Sequence, residues 1–277
     1  MSNCDNCPSK GNCSSENQGS CGFEQLNAYS SIKNAIAVMS GKGGVGKSSV
    51  SVLIARELAR RGLKVGILDA DITGPSVPRL TGIPAGTRCE QNEMGILPPK
   101  TGEGIPVISL NFFLENEDDP VIWRGPILSG AVKQFWTDVF WGELDCLVID
   151  MPPGTGDVVL TVMQSLPLSG AVVVSTPHDL TSMVVAKSVH MAKKLDIRLI
   201  GLVENMSFIK CPDCGREIRL FDEKPLYEYL EREGLELLGS LPMLPEVAAM
   251  SQGNTSVDEE TSKIIEEIGR KIADNLK

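Results

Sequence analysis

The sequence predicts an α/β fold, a three-layer sandwich with a mainly parallel sheet, preceded by a cysteine-rich N-terminal tail. Three observations carry that expectation. Continuous apolar runs, at residues 35–39, 146–149, 170–174 and 199–203, alternate with helical patterns, as in a parallel sheet covered on both faces. A glycine-rich turn, residues 41–48, joins the first apolar run directly to the first helical pattern. Asp69 and Asp150 each end an apolar run, at the strand edge where open α/β sheets bind their ligands.

Taken in order, residues 1–30 are rich in Ser, Asn, Gly and Cys, with few branched apolar groups. Such a segment has little with which to build a core, so it is expected to be flexible unless a metal orders it. The folded domain spans 31–277. Residues 48–61 read as a helix with Val52, Ala55, Leu58 and Ala59 on one face, ended by Gly62, and 65–69 as a buried strand. The many Gly and Pro of 82–104 predict an irregular excursion. A short strand at 105–110 and a helix at 127–141 follow. That helix carries Phe135, Trp136 and Phe140 at core spacing. Strands at 146–150, 170–175 and 199–203 enclose helices at 155–166 and 179–195. Residues 236–241 and an amphipathic helix at 256–275 close the domain.

The chain has 277 residues, enough for one large domain with a full core, and a formal net charge of -10. That charge argues against a nucleic-acid or anionic-membrane partner. No apolar run is long enough to span a bilayer and the N-terminus is polar, so a cytoplasmic protein is expected.

The chemistry begins at Gly41-Lys42-Gly43-Gly44-Val45-Gly46-Lys47-Ser48, which satisfies G-x-x-x-x-G-K-[ST] and defines the sandwich as a P-loop NTPase. Its backbone N–H groups, through Ser49, cradle phosphates at a helix N-terminus. Lys47 reaches the β- and γ-phosphates, and the Ser48 hydroxyl holds Mg²⁺. Lys42 is a second cation in the loop. It is placed either to reach a nucleotide held by a facing subunit or simply to sit in solvent. Asp150, followed by the Gly154/Gly156 loop, has the position of a carboxylate holding a water of the Mg²⁺ shell. Asp69 and Asp71 flank Ala70 after the second strand, and turn or helix-cap roles remain open for either. No guanine-reading [NT]-K-x-D follows a strand, so ATP rather than GTP is the expected nucleotide.

Eight cysteines are grouped by position. Cys211-Pro212-Asp213-Cys214-Gly215 puts two thiols on one tight turn, suited to zinc or to an iron–sulfur cluster. Two thiolates are half of either site. The rest come from Cys4 and Cys7, as in a zinc ribbon, or from the same turn of a second subunit across a two-fold axis. Cys146, inside an apolar strand, reads as buried and inert.

The loop with its extra lysine resembles the deviant Walker A of dimerising ATPases such as MinD, ParA and the nitrogenase iron protein. Together with D-A-D-I-T-G-P-S at 69–76, W-R-G-P at 123–126, D-M-P-P-G-T-G-D at 150–157, E-N-M-S at 204–207 and the C-x-x-C, the chain resembles the Mrp/ApbC family of iron–sulfur cluster carrier (scaffold) ATPases over residues 32–277. The resemblance implies a homodimer bridged by a [4Fe–4S] cluster on Cys211 and Cys214, and apo iron–sulfur proteins as clients. It also implies Asp71 orienting the attacking water, Asp69 supporting on the Mg²⁺ side, Lys42 acting across the interface, and Asn205 beside the base near 245–247. Cys4, Cys7 and Cys13 match a C-x2-C-x5-C piece of an N-terminal cluster seen in some relatives. The fourth ligand of that pattern lies upstream of the three, where this chain has none, and Cys21 would stand in for it. A positioning ATPase with structural zinc and an ATP-dependent reductase are the alternatives.

Overall fold

In the computed structural model the described residues are 22–72, 74–114, 125–178, 183–211, 213–222, 224–243 and 257–276. A seven-stranded sheet forms the middle layer: β1 (Ser31–Ser40), β2 (Val65–Asp69), β5 (Val107–Ile108), β6 (Glu143–Asp150), β7 (Gly170–Ser175), β8 (Leu199–Glu204) and β11 (Leu237–Ser240). The order is β11-β8-β7-β1-β6-β2-β5, and every pairing within it is parallel. The strand that enters the glycine-rich turn is therefore central. Its side chains alternate between two cores: Ala35, Ala37 and Met39 face one, and Ile36 and Val38 the other.

Helices α3 (Gly125–Thr137), α4 (Asp157–Ser165), α5 (Met183–Lys194) and α6 (Lys224–Glu233) cover the first face. Helix α1 (Lys47–Arg60) and the last helix, α7 (Glu259–Ala273), cover the second, together with the one-turn α2 (Val77–Leu80). Each fully buried Ile or Leu, such as Ile36, Ile67 or Leu147, contributes about 2 kcal/mol of hydrophobic stabilisation.

The expected elements are present with shifted ends. The strand expected at 105–110 is only Val107–Ile108, an edge strand. Ser109 leaves it to bond Asp69, and Leu110–Phe113 coils into a 3-10 turn. The excursion at 82–104 is not wholly irregular, since Glu90–Asn92 (β3) and Gly95–Leu97 (β4) form a hairpin. Helix α3 stops at Thr137 rather than 141, because Val139 bridges Ile96 and the Trp141 indole turns inward to donate to the Phe135 carbonyl. Helix α4 starts at Asp157, two residues later than expected, after the Gly154–Gly156 turn. The last helix begins at Glu259, where Asp258 caps it by accepting from the N–H groups of Glu260 and Thr261. Two features were not anticipated: α6, and a small hairpin of β9 (Ile209–Lys210) and β10 (Glu217–Ile218). None of the described helices is long and apolar enough to cross a membrane.

Candidate nucleotide site and cysteine turn

The central strand β1 delivers Ser40 to the carboxyl edge of the sheet, and α1 begins seven residues later at Lys47. Between them the backbone must curl tightly. Gly46 sits at φ 79°, a left-handed conformation that a side chain resists, and a Cβ there would collide with the Asn205 amide. The Ser40 hydroxyl donates to the Lys42 carbonyl at 3.0 Å, while the Gly154 N–H donates to the Ser40 carbonyl at 2.9 Å. The loop after β6 is thus tied to the glycine turn.

The turn, Asp71, Gly74, Ser76 and Pro153 enclose a cavity of about 250 Å³. Helix α1 opens onto it with no side-chain cap and no acidic residue in its first turn. Its positive end is left for an anion from outside. A larger hollow of about 640 Å³ lies at the opposite edge of the sheet, by Leu63, Lys64 and Trp141. Lys64 there is paired with Glu143.

Lys47 is 6% exposed, and its ammonium lies 2.8 Å from Oδ1 of the fully buried Asp150. It also donates to the Ser48 hydroxyl at 3.3 Å and stands 4.0 Å from Asp71 Oδ2. The Ser51 hydroxyl, one turn along α1, reaches the same Asp150 Oδ1 at 2.7 Å. Asp150 Oδ2, by contrast, is buried with no hydrogen-bond partner among the described residues. An orphaned carboxylate oxygen beside a lysine, a serine hydroxyl and a phosphate-sized cradle fits a hydrated Mg²⁺ with a nucleotide. Ser48 would bind that ion directly, and Asp150 would hold one of its waters.

Asp69 is buried behind this group. Burial, reinforced by the neighbouring Asp150 carboxylate, pushes its acid up to about 8, against the pull of Lys47. Its Oδ1 accepts from the Asp71 N–H at 3.1 Å and its Oδ2 from the Ser109 hydroxyl at 3.1 Å. Asp69 therefore braces the backbone of Asp71, which itself lines the cavity. Asn205 follows β8, and its Nδ2 donates to the Val45 carbonyl at 2.9 Å.

Of the residues the sequence predicts for the site, Lys42, Lys47, Ser48 and Asp71 line one pocket, and Asp150 lies against it through Lys47. Ser51 and Ser109 join them without a motif to mark them, although Ser51 lies four residues from Lys47 on the same helix face.

Six residues beyond Asn205, β9 ends in the cysteine turn. The Cys211 N–H donates to the Arg216 carbonyl and the Gly215 N–H to the Cys211 carbonyl, closing the β9–β10 hairpin. The backbone N–H groups of Cys214 and Asp213 point at the Cys211 sulfur, and with the Cys214 thiol they hold its pKa below the ordinary thiol value. Burial pushes the Cys146 and Cys89 thiols the other way, to about 12. Among the described residues no group of three or more metal-ligating side chains occurs, so no third described ligand stands beside these two thiols. Lys210, next to it, donates to Asp258 at 2.7 Å and pairs with Glu260, which ties the hairpin to the head of α7. Cys4, Cys7, Cys13 and Cys21, Trp123 and Arg124, and residues 245–247 lie outside the described residues.

Comparison with known proteins shows the family. The iron–sulfur cluster carrier protein of Clostridium perfringens is 48% identical over 254 residues, covering 88% of this chain and 89% of that one. The protein of the same name from Methanocaldococcus jannaschii is 42% identical over 282 residues, covering 97% and 96%. The nucleotide-binding protein of Archaeoglobus fulgidus, solved in complex with ADP and with cobalt found in it, superimposes with a TM-score of 0.71 at 42% identity, covering 80% of this chain and 87% of that one. MinD of Aquifex aeolicus, solved with MinC, shares the fold at TM-score 0.61 and 17% identity. The ParA-type model described as NUBPL iron-transfer P-loop NTPase matches residues 31–277, and the chain belongs to that family.

Proposed function

We propose that this P-loop NTPase is an ATP-hydrolysing carrier of iron–sulfur clusters. It works as a homodimer in the cytoplasm, holding a [4Fe–4S] cluster between two copies of the Cys211/Cys214 turn and passing it to apo iron–sulfur proteins. One observation carries the reading. A half-site of two thiols, one of them with a lowered pKa, stands six residues from the side chain that touches the phosphate loop. Two thiolates per subunit suit a four-cysteine cluster shared across a two-fold axis. A cluster on such an interface is exposed or covered as the dimer opens and closes.

At the nucleotide, Lys47 holds the β- and γ-phosphates, Ser48 the metal, and Asp150 a metal-bound water. Asp71 orients the attacking water, with Asp69 fixing its backbone. Lys42 meets the nucleotide of the facing subunit and offsets charge that develops there during transfer. A Mg²⁺ ion held by Ser48 and by a water on Asp150 would supply positive charge against the phosphate oxygens.

The test is iron, sulfide and zinc content, with visible absorption, on anaerobically purified and reconstituted protein. Brown protein with near-equal iron and sulfide, lost in the Cys211→Ser/Cys214→Ser variant, supports the carrier. Colourless protein that resists reconstitution and holds stoichiometric zinc overturns it. The turn would then be a structural zinc knuckle on a dimerising ATPase with another cargo.

A further inference from the structure

We propose that Ser51 is a positioning residue for the magnesium–nucleotide site: its hydroxyl keeps the Asp150 carboxylate oriented when Lys47 leaves it for the phosphates. The inference rests on the nucleotide reading above.

The geometry around Asp150 is lopsided. Oδ1 takes two donors, Lys47 at 2.8 Å and Ser51 at 2.7 Å, while Oδ2 has none. Lys47 is also the residue that must reach the β- and γ-phosphates. Those oxygens carry more negative charge than one carboxylate, so nucleotide draws its ammonium away from Asp150. That leaves Ser51 as the remaining described donor on Oδ1. Asp150 itself is 0% exposed, so solvent cannot replace the lost bond.

Ser51 is suited to that role by placement. It is 0% exposed and sits four residues after Lys47, so the phosphate lysine and the carboxylate brace ride on one rigid turn of α1. Its Oγ also lies 3.0 Å from the Lys47 carbonyl. A hydroxyl has one hydrogen to give, and the carboxylate is both nearer and the stronger acceptor. Were the hydrogen on the helix carbonyl instead, Oγ and Oδ1 would face each other at 2.7 Å with nothing between them. The serine therefore turns its hydrogen to Asp150, and Oδ2 is left as the oxygen without a described partner, the one free to take a water of the metal shell.

The experiment uses the full chain and three variants: Ser51→Ala, Ser51→Thr and Ser51→Val. Two quantities are read: the Mg²⁺ concentration giving half-maximal ATP hydrolysis, and the affinity for fluorescent ADP with Mg²⁺ and in EDTA. Thermal midpoints are recorded beside them. Ser51→Ala is expected to raise the Mg²⁺ requirement about tenfold, the size of one hydrogen bond to a charged group. Its metal-free ADP affinity stays within twofold of wild type, and Ser51→Thr restores the Mg²⁺ requirement. A requirement within twofold of wild type in Ser51→Ala overturns the proposal. Should Ser51→Ala fail to fold, the Thr and Val variants are nearly the same size and differ in the hydroxyl, and equal Mg²⁺ requirements in that pair overturn it. If wild type itself binds ADP equally with and without Mg²⁺, the reading of the site falls and the proposal with it.

Discussion

Asn205 Nδ2 donates to the carbonyl of Val45, so the residue that follows β8 grips the crown of the phosphate loop. The Asn205 N–H is in turn held by the Ser175 carbonyl at the end of β7. Two strand ends thus fix the loop in its receptive shape. Asn205→Ala is expected to weaken ADP binding roughly five-fold, about 1 kcal/mol for one neutral hydrogen bond. Titration calorimetry would show it, and a dissociation constant unchanged within a factor of two would deny Asn205 this role.

The Lys47–Asp150 pair is almost wholly buried, so losing one partner strands the other. Lys47→Ala should abolish ATP turnover and also cost about 3 kcal/mol of stability, the loss typical of a buried charge left unpaired. Adding Asp150→Asn should return most of that stability without any turnover. Urea unfolding separates the two effects. A Lys47→Ala protein that still hydrolyses ATP would remove the catalytic assignment.

Thiol chemistry should discriminate sharply among the cysteines. The backbone N–H groups facing Cys211 stabilise its thiolate, while burial suppresses ionisation of Cys89 and Cys146. A thiol with lowered pKa gains its reactive form at lower pH, so Cys211 alkylation should rise with pH earlier than that of an ordinary thiol. Cys89 and Cys146 should remain unlabelled at pH 8. Mass spectrometry after timed iodoacetamide treatment of metal-free protein reads this directly, and equal labelling of Cys211 and Cys146 would contradict it.

Asp258 caps α7 and holds Lys210, the neighbour of Cys211. Burial alone would push its carboxyl up, but the hydrogen bonds from Lys210 and Thr261 win and hold it well below the ordinary carboxylate range. A depressed acid contributes its stability fully above the unfolded-state value of about 4 and loses it as pH falls toward the folded-state value. Asp258→Ala should therefore cost about 1 kcal/mol at pH 7, the usual worth of a cap, since solvent screens the exposed Lys210 pair. That gap should narrow as the pH drops below about 4. A gap that stays constant down to pH 2.5 would deny the carboxylate its role.

The parallel sheet and the phosphate pocket were legible because their signals are local. Gly41 to Ser48 is contiguous, and strands buried on both faces announce themselves as apolar runs. What escaped was the support around them. Ser109 meets Asp69 across 40 positions and Lys210 meets Asp258 across 48, pairings that no periodicity encodes. The β9–β10 hairpin has two residues per strand, too few to alternate visibly. Helix α6 was readable, since Leu226, Tyr229 and Leu230 fall at helical spacing, but charged residues between them obscured the stripe. Strand β5 was over-extended because apolar residues at 105–110 pack as core without pairing along their whole length.

The short walk from Asn205 to Cys211 sets a limit on traffic. Six residues span at most about 20 Å even when fully stretched. A protein partner of ordinary size covers about 800 Å² on each side, a disc some 30 Å across. A body that reaches about 15 Å from its centre, seated between the sulfurs and Asn205, covers both of them. A partner docked there stands beside the phosphate loop: nucleotide exchange is expected to slow while it is bound and to recover once it departs. Stopped-flow release of fluorescent ADP with and without an apo client would register that sequence, and identical release rates would place the docking face elsewhere.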